Sequence, residues 1–176
     1  MPVAKFPSYP CGRMGLYYDY FRARDAKRAK AIADAGYIGK TKDVDLLSLR
    51  GMDAEVRIGS LLAFALGAEW TVNTVQSTAV WPPEPRPRTP DDFDRLPENS
   101  PWFTSDYQLD EFAPEFRDAL ATLSEPQLRR LETDWTPTAA FDDYDLDLVR
   151  SDFRALVDLA RRAHSVGDKL FLISPV

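Results

Sequence analysis

A dense run of carboxylates is the part of this sequence whose residue types and spacing come closest to a chemical site. The run contains no basic residue and comprises Asp142, Asp143, Asp145 and Asp147. The last three alternate along the chain as the first oxygen ligands of a calcium loop do. Such a loop also needs a glycine at its sixth position and a bidentate glutamate at its twelfth, where this chain has Leu148 and Arg154. An EF-hand is therefore excluded, and we predict no metal site and no cofactor.

The sequence leaves three interpretations of this acidic run open. Its side chains can cap the following helix and otherwise stay in solvent. They can attract a basic partner, with neighbouring aromatic residues supplying contact area. Alternatively, two carboxylates can face each other and serve metal binding or acid–base hydrolysis. Under the second interpretation the partner-binding residues are Asp134, Trp135, Asp142, Asp143 and Tyr144.

A proline-rich segment adds two aromatic residues to this candidate surface. Residues 82–101 hold seven of the fourteen prolines, so we expect an irregular loop. A loop of this length is typically functional or mobile, although a plain surface excursion explains it equally well. Trp81 and Trp102 flank the segment, and large aromatic side chains are enriched at the centres of interfaces.

An acidic residue inside an aromatic strand is a further candidate. Residues 16–22 read Leu-Tyr-Tyr-Asp-Tyr-Phe-Arg, which is typical of a β-strand. Tyr17 and Asp19 share one face of that strand. Asp19 is either a structural residue, buried and hydrogen-bonded or on a half-exposed face, or the acid of a small enzyme that combines Asp with Tyr or Arg in a pocket at the sheet. Tyr17 and Asp19 are the residues of this alternative pocket.

The sequence lacks the residues that most other kinds of catalysis need. His164 is the only histidine and falls in the last turns of a predicted helix, where the helix dipole explains it. Cys11 is the only cysteine and has no base near it in sequence, so neither a catalytic thiol nor a disulfide framework is expected. The sequence also lacks a glycine-rich phosphate-binding loop.

The net charge of −6 is unevenly distributed along the chain. Residues 1–88 carry 13 Lys/Arg against 9 Asp/Glu, whereas residues 89–176 carry 9 against 19. Nucleic-acid binding needs a basic face, so we predict no nucleic-acid partner and favour a basic protein instead. No apolar run approaches the ~18 residues of a membrane span, and no secretory signal is visible, so we expect a cytoplasmic protein without membrane association.

The C-terminal third gives the clearest fold prediction. Apolar residues recur at helical spacing along one face: Leu146, Val149, Phe153, Leu156, Val157, Ala160 and Ala163. Asp145 can cap this helix and Gly167 can end it, and residues 169–174 then read as a short buried strand. Further helices are predicted at 25–35, 53–66, 109–123 and from 124 onward, and further strands at 16–22, 44–49 and 70–81.

Together these elements predict a single α+β domain over residues 1–176. Its small sheet should contain the N-terminal and C-terminal strands and be covered by four to five helices. Residues 1–13 contain three prolines and no periodicity, so they should form an irregular arm.

Two stretches resemble a known group of proteins. Residues 15–23 read Gly-Leu-Tyr-Tyr-Asp-Tyr-Phe-Arg-Ala, and the ending runs from Leu-Ala-Arg-Arg-Ala at 159–163 through Gly167 to Leu170-Phe171. Both resemble a group of uncharacterised actinobacterial stand-alone proteins, and the ending is distantly similar to YfbM-like bacterial proteins. The resemblance implies an α+β fold with no established activity, so no catalytic residue follows from it.

The leading functional hypothesis is a non-catalytic interaction protein, such as an immunity or accessory protein that masks a basic partner. It depends on the acidic half of the chain, the tryptophan-flanked loop and the missing catalytic constellation. The small acid–base enzyme is the alternative, and the oligomeric state is left open.

Overall fold

The first and last strands of the described chain pair at the centre of one antiparallel sheet. The computed structural model describes residues 16–36, 43–71, 73–83, 86–87 and 89–175, so the predicted arm at 1–13 lies outside the described residues. The strands are β1 (Tyr17–Ala23), β2 (Leu46–Arg50), β3 (Ser77–Trp81), β4 (Tyr107–Phe112) and β5 (Lys169–Pro175). Their order across the sheet is β2-β1-β5-β4-β3. The prediction that the first and last strands share a sheet is confirmed.

Seven α-helices accompany the sheet in the described residues, which confirms the α+β class. They are α1 (Ala26–Asp34), α2 (Gly59–Leu66), α3 (Pro90–Asp94), α4 (Pro101–Thr104), α5 (Pro114–Ala121), α6 (Glu125–Thr133) and α7 (Leu146–Val166). A π-helical turn at Ala54–Ile58 leads into α2, and a 3₁₀ turn spans Ala139–Phe141. Five helices have eight or more residues, as predicted. The short α3 lies within the proline-rich segment, which we expected to be irregular throughout, because Thr89 and Asp92 form a capping box around Pro90.

The long helix α7 follows the sequence signals that predicted it. The Asp145 carboxylate accepts hydrogen bonds from the backbone N–H groups of Asp147 and Leu148, at 3.0 and 3.3 Å. Gly167 ends the helix in the left-handed conformation, with φ of 74°, which side chains with a Cβ disfavour. The helix buries Val149, Phe153, Leu156, Val157, Leu159, Ala160 and Ala163.

The two faces of the sheet bury separate hydrophobic clusters. Residues from α2, α5, α6 and α7 pack on the face that carries Tyr20, Leu170 and Leu172. Helix α1 packs on the other face, against Phe21 and Phe171. Because strand residues alternate between faces, each central strand contributes to both clusters. This two-sided burial explains the near-continuous apolar run in β5.

One predicted element is wrong. The sequence pattern predicted a helix over 109–123, but residues 107–112 form strand β4 and the helix begins only at Pro114. Two signals oppose a continuous helix here. Tyr107 to Phe112 contains residues that alternate between the sheet faces, and Ala113 precedes a proline, which disfavours the helical conformation at Ala113. In addition, the strand predicted at 70–81 is limited to Ser77–Trp81.

A network of charged side chains ties β1 and the start of β2 to α7 and to the turn that follows it. Arg162 donates from Nε and Nη2 to the Asp45 carboxylate at 2.7 and 2.9 Å, and Arg22 donates from Nε at 2.8 Å. Arg22 also donates from Nη1 to Asp168 at 2.6 Å. The hydrogen bond from Arg162, together with that from Arg22, holds the pKa of Asp45 below its ordinary value.

The phasing of α7 is tested by substituting adjacent residues on it. Phe153→Ala should lower the free energy of unfolding by about 3–5 kcal/mol, because a fully buried ring is replaced by a cavity. Arg154→Ala should lower it much less, because its ion pairs with Glu125 and Glu132 lie at the surface. Urea denaturation measures both values, and equal losses would contradict the described packing.

The Asp45 network predicts a pH-dependent contribution to stability. Because the pKa of Asp45 is lowered in the folded state, its contribution should be complete above the unfolded value of about 3.9 and lost as the pH falls through the folded value. Asp45→Asn should therefore reduce the urea midpoint at pH 6 and converge with the unsubstituted protein in acid. Asp143→Asn, which removes an exposed carboxylate, is the matched control and should show no such convergence. An Asp45→Asn deficit that persists unchanged in acid would contradict the assignment.

Candidate functional site

One face of the sheet changes from apolar to polar along its length, and a cavity lies at the polar end. The apolar end of β4 and β5 carries Phe112 and Leu170. Two positions further along, Asp110 pairs with Leu172, and two positions beyond that pair, Gln108 pairs with Ser174. The cavity over this end has a volume of about 190 Å³. We call it the Asp110 pocket; its polar and aromatic lining residues include Tyr18, Asp53, Glu55, Arg86, Asp110 and Phe112.

Asp110 provides a buried carboxylate in this pocket. The residue is 4% exposed and sits in the middle of β4, between neighbours on β3 and β5. Burial raises the pKa of the Asp110 carboxyl, whereas the positive charge of Arg86 opposes the rise. A buried carboxylate without a cationic or hydrogen-bonding partner is strongly unfavourable. The carboxylate therefore needs a cation or hydrogen-bond donors beside it.

Arg86 supplies that cation from the proline-rich segment. Its Nη2 donates to both carboxylate oxygens of Asp110, at 2.7 and 2.6 Å. Its Nη1 lies 3.7 Å from the Glu55 carboxylate, whose side chain is 67% exposed. The Arg86 side chain is itself 36% exposed, so the guanidinium lies between a buried carboxylate and an exposed one.

The wall of the pocket that carries Asp53 and Glu55 adjoins the π-helical turn. The Asp53 carboxylate accepts from the backbone N–H of Val56 at 2.7 Å and from Nη1 of Arg57 at 2.7 Å. Trp70 Nε1 donates to the Glu55 carbonyl at 3.0 Å. Gly59 leaves room for this ring, since a Cβ there would lie 2.9 Å from Trp70 Nε1. π-Helical turns are frequent at functional sites, and this one places Asp53, at its N-terminal cap, and Glu55 beside the cavity.

Aromatic rings complete the lining. Phe112 stacks on Tyr20, with ring centroids 6.1 Å apart, and also packs against Phe116. The pKa of Tyr18 is raised by burial, and the charge of Asp53 adds to the rise. Tyr18 therefore keeps its proton and can donate a hydrogen bond. The lining combines carboxylates with aromatic side chains, and both kinds of group attract organic cations.

The predicted acidic surface is only partly assembled. Asp134, Asp142 and Asp143 are exposed, whereas Trp135 is 8% exposed and packs edge-on against Phe141. Trp135 therefore belongs to the core rather than to a binding surface, because the turn after α6 folds its ring inward. Tyr144 is half-buried, with its hydroxyl donating to the Gly51 carbonyl at 3.4 Å.

The two tryptophans that flank the proline-rich segment do not form an exposed aromatic pair. Trp102 is 3% exposed and therefore interior. Trp81 is half-buried, its Nε1 donates to Ser105 Oγ at 3.0 Å, and Lys30 Nζ lies 4.1 Å from its ring centroid. Both rings stabilise the fold, so the aromatic anchors expected from the sequence are already engaged within the chain.

Tyr17 and Asp19 do not line the Asp110 pocket. Both alternate with Tyr18 along β1, so they point to the face covered by α1. The residue that reaches the cavity is Tyr18, one position away. The sequence reasoning also missed Asp110, because it placed this residue in a helix; the strand pattern of β4 and the following Ala113-Pro114 were the signals that could have identified it.

The described part of the chain contains no group of three or more His, Cys, Asp or Glu side chains arranged for a metal ion. Within the same residues, no helix has the length and apolar character that crossing a membrane demands. No protein-family model, curated protein or solved structure matches the chain. The resemblance to actinobacterial and YfbM-like proteins therefore stays a prediction.

Proposed function

We propose that this chain is a non-catalytic binding protein that recognises a basic partner by taking one of its cationic side chains into the Asp110 pocket. The observation that carries the proposal is the ion pair between the buried Asp110 carboxylate and the Arg86 guanidinium inside a cavity. A guanidinium already occupies this position, so its size and charge are compatible with the pocket.

The charges around the pocket support a basic partner. Asp53, Glu55 and Asp110 all line the cavity, and Arg86 is its only basic lining residue within the described chain. A cavity lined mainly by one sign of charge concentrates ligands of the opposite sign. The lining therefore favours a cation over an anion.

The predicted acidic surface is connected by a single arginine to the wall of the pocket that carries Asp53 and Glu55. Arg57 binds Asp53, donates from Nε to the Ala140 carbonyl at 3.0 Å, and lies 4.7 Å from the ring centroid of Tyr144. The next residues before that ring, Asp142 and Asp143, are exposed and form no ion pair within the described chain. These two carboxylates would steer a basic partner toward the pocket.

Acid–base catalysis at the same pocket is a second candidate function. The raised pKa of Asp110 favours it, since catalytic carboxyls are tuned in this way by burial. Tyr18 and Arg86 would then be the other polar groups near the substrate. Binding remains the better-supported function, because Arg86 holds the carboxylate in an ion pair that lowers its basicity.

The binding function is tested by neutralising one of two adjacent carboxylates on β4. Asp110→Asn should weaken binding of a synthetic alternating arginine–glycine peptide by at least about tenfold, because a buried charge partner is removed. Glu111→Gln removes the same charge from the opposite face, where Glu111 pairs with Lys169, and should change the affinity little. Isothermal titration calorimetry measures both. Equal losses in the two variants would show only non-specific attraction and would refute the pocket.

A kinetic experiment tests the exposed carboxylates separately. Replacing Asp142 and Asp143 together with Asn should slow association of the same peptide more than it speeds dissociation, because rim charges act mainly on the encounter. Binding should also weaken as salt rises, since exposed charges are screened beyond about 8 Å at physiological ionic strength. Surface plasmon resonance at two salt concentrations gives both rates. A change confined to dissociation would exclude the steering role.

A further inference from the structure

We propose that the ligand group of the Asp110 pocket is an arginine guanidinium, and that Arg86 is a built-in competitor that the partner's arginine displaces. This inference depends on the proposed binding function and specifies its chemistry. It rests on how the guanidinium is held, on where Arg86 lies in the fold, and on the space beside the ion pair.

The arrangement of carboxylates fits a guanidinium better than an ammonium. One nitrogen of Arg86 donates to both oxygens of Asp110, and the other terminal nitrogen faces Glu55 at 3.7 Å. A planar guanidinium presents several donors in a fixed fork, whereas a lysine ammonium is a single point charge. A single arginine can therefore bind two carboxylates that lie on different elements. Tyr18 and Phe112 add aromatic surface, which guanidinium groups also favour.

The location of Arg86 distinguishes it from the structural arginines of this protein. Arg22 and Arg162, which share Asp45, lie on β1 and α7 and are fixed by regular backbone structure. Arg86 lies between β3 and α3, outside every helix and strand of the described chain. Its side chain is 36% exposed, so it can leave Asp110 by rotating into solvent while the sheet stays unchanged.

The cavity gives the incoming group access. The cavity, of about 190 Å³, adjoins the Arg86–Asp110 pair. Side chains from β1, β4 and the π-helical turn line it. Exchange of one guanidinium for another keeps Asp110 paired throughout, which avoids the high cost of an unpaired buried charge. Arg86 thus stabilises the pocket when no ligand is bound. Because a ligand can bind only while Arg86 is away, the apparent affinity equals the intrinsic affinity multiplied by the fraction of time that the site is free of Arg86.

Removing the competitor should strengthen binding. Arg86→Gln should bind N-acetyl-arginine N-methylamide about tenfold more tightly than the unsubstituted protein if Arg86 occupies the site about nine-tenths of the time. Arg95→Gln is the matched control, because it removes the same charge from an exposed position in the same proline-rich segment. It should leave the affinity unchanged. Backbone amide NMR titrations give the dissociation constants.

The lysine probe and a double variant separate the possible failures. In Arg86→Gln, N-acetyl-lysine N-methylamide should bind more weakly than the arginine probe; equal binding would refute guanidinium specificity. An arginine affinity no higher than that of Arg95→Gln would refute the competitor role, while the binding function stands if Asp110→Asn still weakens the peptide complex. If the double variant Arg86→Gln/Asp110→Asn binds arginine as tightly as Arg86→Gln, Asp110 is not the receptor and the proposed function itself fails.

The unsubstituted protein provides a readout that does not depend on a variant's folding. In the free protein the Arg86 side-chain Nε–Hε resonance should be distinct from those of the exposed arginines. Saturation with the arginine probe should move it to the solvent-exposed position. A resonance that stays unchanged at saturation would refute displacement of Arg86.

Discussion

Tyr20 lies opposite Leu172, and Phe21 lies opposite Phe171, where β1 and β5 pair at the centre of the sheet. This pairing joins the two ends of the described chain and creates the two apolar surfaces that the helices cover. Helix α7 reaches its position because it runs directly into β5 after Gly167. The edge strands β2 and β3 then attach to a centre that is already buried on both faces. The fold therefore depends on a contact between residues distant in sequence, for which the chain must close a long loop.

Arginine side chains connect the elements around this sheet. Arg161 donates to the Leu123 carbonyl at 2.6 Å and Arg150 to the Leu131 carbonyl at 3.0 Å, near the C-terminal ends of α5 and α6. Leu131 lies in the last turn of α6, where carbonyl groups lack an intrahelical partner, and Leu123 follows the end of α5. Arg86 likewise donates hydrogen bonds, but to a buried carboxylate and from outside the helices and strands of the described chain. That difference in backbone support makes it the exchangeable member of the set.

The pocket arises because the apolar covering of the sheet is incomplete at one end. Where Leu170 and Phe112 face the helices, the packing is continuous. Where Gln108 and Ser174 occupy the equivalent positions, the sheet instead borders a polar cavity beside the π-helical turn. The buried charge of Asp110 is tolerated there because a guanidinium compensates it. Its location on β4, which is paired with a strand on each side, supports the carboxylate for recognition.

The sequence by itself determined the α+β class, helix α7 with its cap and glycine end, and the presence of the first and last strands, because these depend on local periodicity and capping. It also showed the carboxylate cluster that contains Asp142 and Asp143, but whether these side chains are exposed was left open until the structure showed that they are. Only the tertiary structure decided that Trp135 is interior, and that Asp110 faces a cavity while Asp19 faces the other side of the sheet. Neighbouring residues on a strand point to opposite faces of the sheet. Which of the two faces borders a cavity depends on how the helices pack on the sheet. The partner of Asp110 comes from a separate segment, so no local pattern in the sequence could join the two.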